Sequence, residues 1–334
     1  MVRGVENEVE IGVAVIGAGV AGLYATYCCG ISGLECVLID ALVFTGGQCT
    51  ALYPEKKIYG VPGFNDVLAK GFVESLSGQC TTFAKKLLLG KKVESISVTE
   101  DDSFVIRLCD VSSKQQSHVN AKHIIVATGI GDMIPSIPRA VLENNSNDNP
   151  PDFIQHCCIR VDFYKGKNIV VSGGGDSAID FVINVAPLAK SVTLLHRRDK
   201  FTCEESKLKD LDNLHKNGKL QLLLEHSVSG IEKGNVITVD KNSKKIVLCA
   251  DHLVFCHGFL TSCGSVFGLQ EQGLKMEGGL VEVDINTMKT SLKNCYAIGD
   301  VVLYPNKKRN IVSCFFEADR AVRMIKNEIA SRLS

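Results

Sequence analysis

The sequence predicts an α/β fold built on parallel strands, in which one strand–loop–helix–strand unit occurs twice and the second copy is inserted inside the first. Three observations carry this. Two glycine-rich loops each follow an apolar run, each leads at the same spacing to another apolar run, and the runs that complete the first unit lie on both sides of the second. With 334 residues, 45% of them apolar, the chain can bury the cores of two ordinary domains.

The first element is Ile11-Gly12-Val13-Ala14-Val15-Ile16, a run without polar residues, as in a strand covered on both faces. It enters Gly17-Ala18-Gly19-Val20-Ala21-Gly22. A helical stretch follows, and then Cys36-Val37-Leu38-Ile39 forms a strand that ends at Asp40. The order recurs downstream. Asn168 to Ser172 is a strand and Gly173-Gly174-Gly175-Asp176-Ser177-Ala178 a loop. A helix covers roughly Ala178 to Ala186, and the strand Ser191 to Leu195 ends at His196-Arg197-Arg198. With glycine at 30 of 334 positions, a lone G-x-G-x-x-G arises by chance in about one such chain in four. The strand before, the helix after and the second strand beyond give the motif its meaning.

Such a loop has a physical purpose. Its first glycine permits a tight turn, its second lets the backbone approach a pyrophosphate, and its third lets the helix pack closely on the strand. The free N–H groups and the dipole of the helix N-terminus then favour the anion. Gly17, Gly19 and Gly22 are therefore candidate cofactor contacts. So are Gly173, Gly175, Asp176 and Ser177, with Ala178 in the place of the third glycine. This makes both units dinucleotide-binding, Rossmann-like domains.

The ends of the two second strands differ. Asp40 lies 23 residues after Gly17, and His196 lies 23 residues after Gly173, followed by Arg197 and Arg198. An acid there accepts hydrogen bonds from a bare ribose 2′-hydroxyl and repels a 2′-phosphate. Guanidinium groups bind that phosphate through charge-assisted bonds. The first unit therefore suits FAD (or NAD) and the second NADP. Removing both arginines should favour NADH relatively by about two or more orders of magnitude.

Ile124-Ile125-Val126-Ala127-Thr128-Gly129 and Leu253-Val254-Phe255-Cys256-His257-Gly258 are strands that end in small-residue turns, and they mark the crossings between domains. The expected bounds are 1–129 and 257–334 for the FAD domain and 130–256 for the NADPH domain. Asn294 to Asp300 is a strand ending in Gly-Asp, where the Asp300 carboxylate can accept from a ribityl hydroxyl. Glu143 to Pro151 is a polar surface loop.

Composition narrows the function. Thirty-seven basic residues balance 37 acidic ones, so nothing points to nucleic acid or to an anionic membrane. Fourteen cysteines include no C-x-x-C, so neither a zinc site nor a vicinal dithiol has its spacing, and no metal is expected. Residues Met1 to Glu10 carry Arg3, Glu6, Glu8 and Glu10 but no apolar core or cleavage site, and no apolar run is long enough to span a bilayer. A soluble, cytoplasmic protein is expected.

Gly17–Gly22, Gly46-Gly47-Gln48, Gly173–Ala178, His196–Asp199 and Tyr296–Asp300 resemble the thioredoxin-reductase-type flavoproteins. The stretch from Gly46 through Gln48, Tyr53 and Pro54 to Phe64 is similar to the thioredoxin-reductase-like ferredoxin/flavodoxin–NADP⁺ reductases, and the likeness runs from about Ile11 to Ala321. It implies bound FAD, hydride transfer from NADPH to the flavin, single-electron delivery to ferredoxin or flavodoxin, and a homodimer. It also implies FAD contacts at Asp40, Gly47, Gln48, Tyr53, Val93, Met133 and Asp300, with Tyr53 against the isoalloxazine ring as the catalytic-site aromatic. A thioredoxin reductase would carry C-x-x-C where this chain has Gln155-His156-Cys157-Cys158, so a dithiol relay cannot run there. The chain stops at Ser334, where many members continue over the flavin, so a more exposed flavin is expected. Lys56, Lys57, Lys307, Lys308 and Arg309 offer a basic rim for an acidic carrier. Two alternatives remain at this point: a disulfide reductase using scattered cysteines, and an FAD- and NADPH-binding redox sensor with little turnover.

Overall fold

The computed structural model describes residues 11–139, 141, 153–156, 161–203, 205–262 and 266–333. The chain forms two compact units. One runs up to Asp132 and resumes at Thr261; the other is Met133–Leu260. The stretch Glu143 to Pro151, with Cys157 and Cys158, lies outside the described residues.

The first unit begins with β1 (Ile11–Ile16), α1 (Val20–Ile31) and β2 (Cys36–Asp40). It continues through α2 (Gln48–Ala51), α3 (Ala69–Thr81), β3 (Lys86–Leu89), β4 (Lys91–Val98), β5 (Phe104–Asp110) and β6 (Gln116–Val126). The strand order is β3-β2-β1-β6-β5-β4. β1 pairs in parallel with β2 and β6, and β2 with β3, whereas β4, β5 and β6 form an antiparallel meander.

Alternation along β1 explains the two cores on either side of this sheet, because successive side chains of a strand point to opposite faces. Val13 and Val15 pack with Leu23, Phe72, Leu76 and Val322 under helices. Ala14 and Ile16 pack with Val93, Ile96, Phe104, Ile106 and Leu108 of the meander. A parallel sheet needs cover on both faces; here helices supply one layer and the meander the other.

The second unit repeats this plan. Its elements are β7 (Ile154–His156), β8 (Asn168–Gly173), α4 (Asp176–Val185), β9 (Ser191–His196), α5 (Glu205–Lys216) and β10 (Gln221–Leu224). Then come β11 (His226–Glu232), β12 (Asn235–Asp240), β13 (Lys245–Cys249) and β14 (His252–Cys256). Five strands in the order β7-β14-β8-β9-β10 are all parallel. Ile169 and Val171 of β8 face Ile179, Val182 and Leu211 of the helices. Val170 faces Val228, Ile231 and Val236 of the antiparallel β11–β12–β13 layer.

The first unit is completed by β15 (Cys295–Ala297), which pairs in parallel with β6, and by α6 (Ile311–Leu333), which packs on α1. Its glycine loop and the turn after β15 thus meet at the carboxyl ends of parallel strands, where open α/β sheets take their ligands.

Candidate functional site

In the first unit, Gly17 and Gly22 are glycine for want of room. A Cβ on Gly17 would stand 2.3 Å from the Ala127 carbonyl oxygen, and one on Gly22 only 1.8 Å from that of Gly17. The middle glycine differs: a Cβ on Gly19 meets nothing nearer than the Gly47 Cα at 3.9 Å. The outer glycines fasten the loop, and the middle one leaves the backbone open at the start of α1. A second strap closes on it. Gly46 donates to the Ala18 carbonyl at 2.8 Å and bridges to Gly19, which brings Gly47 and the start of α2 against the loop.

Asp40 stands at the end of β2 with both oxygens engaged by backbone N–H groups, Ala18 at 2.6 Å and Leu42 at 2.7 Å. Burial pushes its carboxyl above the usual value although these two bonds pull it down. The carboxylate therefore braces the loop as well as ending the strand, and its remaining lone pairs can still take a hydroxyl donor.

Gln48, the first residue of α2, points its amide at the Asp300 carboxylate, Nε2 to Oδ2 at 3.4 Å. Tyr53 is half-buried, and the Cys49 thiol donates to its hydroxyl at 3.7 Å. Burial raises the pKa values of both groups, so both stay protonated at neutral pH. Asp300 lies in the turn Gly299–Val301. The Gly299 N–H donates to Glu317 Oε2 at 2.7 Å, and the Tyr304 hydroxyl donates to Oε1 at 2.5 Å. Lys307 completes the group as an ion pair with a fully buried Glu317, its own side chain only 4% exposed.

This overturns one expectation. Lys307 does not belong to a basic rim, because its ammonium is sequestered by Glu317. Lys57 pairs with Asp66 at 3.3 Å; Lys308 and Arg309 are exposed. Val93 is buried at a bulge on β4, a strand that packs against β2. Met133 lies on the strand Asp132–Pro135, and its side chain is outside the described residues.

The second loop has the same distribution of space. A Cβ on Gly173 would lie 2.8 Å from the Ala178 Cβ, whereas one on Gly175 would meet nothing nearer than 3.9 Å. The segment after β9 folds back over it. The His196 ring covers Gly174, where a Cβ would come within 2.1 Å of Nδ1. That ring stacks on Phe201 and turns Nε2 to the Lys200 carbonyl at 3.0 Å, so Nε2 carries the proton. Burial lowers its pKa, and Arg198 and Arg197 add to the effect against the Lys200 bond. His196 thus supports the loop, while Arg197 and Arg198 are exposed, with no ion pair to either among the described residues.

Asp176 and Ser177 open α4, both exposed. Asp176 is paired: Lys207 of α5 reaches it at 3.0 Å and Asp180 at 2.8 Å. Burial works against the Lys207 ammonium, but its bonds to Asp180 and Asp176 outweigh that and push its pKa up to about 12. Lys207 and Glu317 were missed in the sequence. Each is a charged residue within a helix and carries no local sign of a distant partner.

The arrangement is thus two open glycine cradles at helix N-termini, one ending in a carboxylate and one in guanidiniums. Among the described residues, no group of three or more His, Cys, Asp or Glu could hold a metal ion.

Known proteins resemble this chain over most of its length. The family model for pyridine nucleotide-disulphide oxidoreductases matches residues 11–322. The ferredoxin–NADP reductase of Ehrlichia canis is 33% identical over 319 residues, covering 94% of this chain and 91% of that protein. The Thermus thermophilus protein of the same name is 34% identical over 311 residues, covering 92% and 89%. A solved thioredoxin reductase from T. acidophilum superposes with a TM-score of 0.75 at 21% identity, covering 97% of this chain and all of that one, 100%; it supports the fold alone. On the matched length and these relatives together, the chain belongs to the pyridine nucleotide-disulphide oxidoreductase family.

Proposed function

We propose that the unit carrying Gly17 holds FAD, that the unit carrying Gly173 holds NADPH, and that the protein is a ferredoxin (or flavodoxin)–NADP⁺ reductase. The observation that carries this reading is the contrast at equivalent strand ends, Asp40 in one unit and Arg197-Arg198 in the other. The name shared by the Ehrlichia canis and Thermus thermophilus relatives supports the acceptor.

A bound flavin would take up hydride from NADPH and release the electrons one at a time. The chain's own task is placement. Gly19 and Gly175 leave room for each pyrophosphate, and Asp40 offers an acceptor to a ribose hydroxyl. Arg197 and Arg198 would grip a 2′-phosphate, while Ser177 and the N-terminus of α4 would face the pyrophosphate. Gln48 and Asp300 would offer a polar edge to the ribityl chain and flavin and the Tyr53 ring would serve the isoalloxazine; Gly47 allows the close approach of this strap, and Val93 would line the FAD surroundings. No helix among the described residues is long and apolar enough to cross a membrane; a cytoplasmic homodimer is proposed from the family resemblance.

The test is an acceptor panel. The purified yellow protein is mixed with NADPH and either ferredoxin or flavodoxin, with cytochrome c as the terminal acceptor. Carrier-dependent reduction is expected. A flavin that NADPH reduces but that passes nothing to either carrier removes the acceptor assignment, and a colourless protein removes the FAD assignment. Arg197→Ala should raise the KM for NADPH and leave NADH unchanged; equal losses with both refute the role of the arginine.

A further inference from the structure

The NADPH cradle contains a charge of the wrong sign. Asp176 is the first residue of α4, at the helix end that must receive the pyrophosphate, and a carboxylate there opposes a bound anion. The fold brings a cation to it. Thr202 donates to the Gly174 carbonyl at 2.8 Å and bridges to Gly175, which lays the segment after β9 along the loop and starts α5 beside α4. Lys207, in the first turn of α5, then spans Asp176 at 3.0 Å and Asp180, one helical turn further on, at 2.8 Å. The Lys207 side chain is 18% exposed, against 48% for Asp176. The ammonium is therefore held in place by packing, which distinguishes it from an exposed surface pair of little consequence.

We infer that Lys207 is a positioning residue for nucleotide binding: its ammonium, shared between Asp176 and Asp180, offsets the carboxylate at the start of α4 and so favours an anion at the Gly173 loop. The inference rests on the assignment of NADPH to this unit. It assigns Asp176 a role other than direct cofactor contact: a carboxylate whose charge Lys207 offsets, with Asp180 holding the ammonium in place. Because the pyrophosphate is common to both nicotinamide nucleotides, Lys207 should act on NADP⁺ and NAD⁺ alike, whereas Arg197 and Arg198 act on NADP⁺ alone.

The experiment is a double-mutant cycle on the FAD-loaded protein, with NADP⁺ and NAD⁺ binding measured by calorimetry at low and at high salt. Lys207→Met should weaken both nucleotides about tenfold, the effect of exposing a like charge to a bound anion, and the loss should shrink as salt rises. Adding Asp176→Asn should restore affinity to within about threefold of the parent, because the offending charge is then gone. Asp176→Asn alone should leave binding equal or tighter, and this single variant tests the inference even if Lys207→Met fails to fold. A Lys207→Met loss that persists undiminished beside Asp176→Asn would mean that Lys207 acts by packing, and a weakening by Asp176→Asn alone would restore Asp176 as a direct contact; either overturns the inference. A parent protein that binds neither nucleotide refutes the assignment of the unit itself, an outcome distinct from a failed cycle.

Discussion

Glu317 gives the sharpest test of how the FAD unit is held together. It is fully buried in α6, with Oε2 accepting from the Gly299 N–H at 2.7 Å and Oε1 from Tyr304 and the buried Lys307. Glu317→Gln keeps an amide oxygen for Gly299 but leaves an ammonium buried without its counter-charge, a change that costs about 3–5 kcal/mol. Glu317→Ala also orphans the Gly299 N–H, for roughly a further 1–3 kcal/mol. Gly299 precedes Asp300, so the two variants should separate two roles. Both should lower stability, Glu317→Gln by about 6–20 °C in melting temperature, but only Glu317→Ala should also misplace the Asp300 turn and release FAD. Urea unfolding followed by circular dichroism reads the first effect, and flavin absorbance after desalting reads the second. Adding Lys307→Met to Glu317→Gln should recover much of the lost stability, since no buried charge then remains unpaired. If Glu317→Gln unfolds within about 0.5 kcal/mol of the parent, the buried charge pair does not stabilise this unit; if Glu317→Ala keeps its flavin, the carboxylate does not hold the Asp300 turn.

Three further outcomes follow from the same coordinates. Gly22→Ala should fail to fold, because its Cβ would stand 1.8 Å from the Gly17 carbonyl oxygen, whereas Gly19→Ala, with 3.9 Å of room, should fold and retain less FAD; equal folding yields would refute the division of labour within the loop. Burial lowers the pKa of His123, with Arg332 and Lys122 adding to it and the Gly12 carbonyl and Glu328 opposing. The unfolded chain, with an ordinary value of about 6.5, thus binds more protons below that pH, and the penalty on folding grows as pH falls. Urea midpoints at pH 7.5 and 5.5 should therefore converge in His123→Gln, and an unchanged gap rejects the effect. Iodoacetamide at pH 8 should label exposed Cys249 at least about a hundredfold faster than Cys28, Cys80, Cys295 and Cys314, whose thiols burial pushes up to about 12; peptide mapping that finds equal labelling would mean the core opens readily.

What was legible in the sequence is what local geometry must satisfy. A loop that turns from a buried strand into a helix needs small residues at fixed offsets, and Gly17, Gly22 and Gly173 are where the backbone has no room for a side chain. The helix expected from Ala178 begins at Asp176, and the strand expected to end at Leu195 runs to His196, differences of the kind set by terminal hydrogen bonds. The two antiparallel layers were not legible. Lys91–Val98 mixes apolar and polar residues without a regular period and Lys245–Cys249 is a short apolar run after one lysine, and what pairs with them is decided by the face of the parallel sheet left uncovered.

The limit is clearest in the two acids beside the glycine loops. Sequence position makes both Asp40 and Asp176 candidate cofactor contacts, the one at a strand end and the other in a glycine loop. The fold separates them by where their charge points. Asp40 ends a strand, accepts the Ala18 N–H into its own loop and can offer its other lone pairs to a neutral hydroxyl. Asp176 starts a helix, where only an anion is expected, and is brought to Lys207 instead. The same side chain thus keeps lone pairs for a hydroxyl donor in one unit and pairs with a cation in the other. The difference arises from which end of which element carries it, so a charge-reversing or neutralising change should cost FAD affinity at Asp40 and cost NADPH nothing at Asp176.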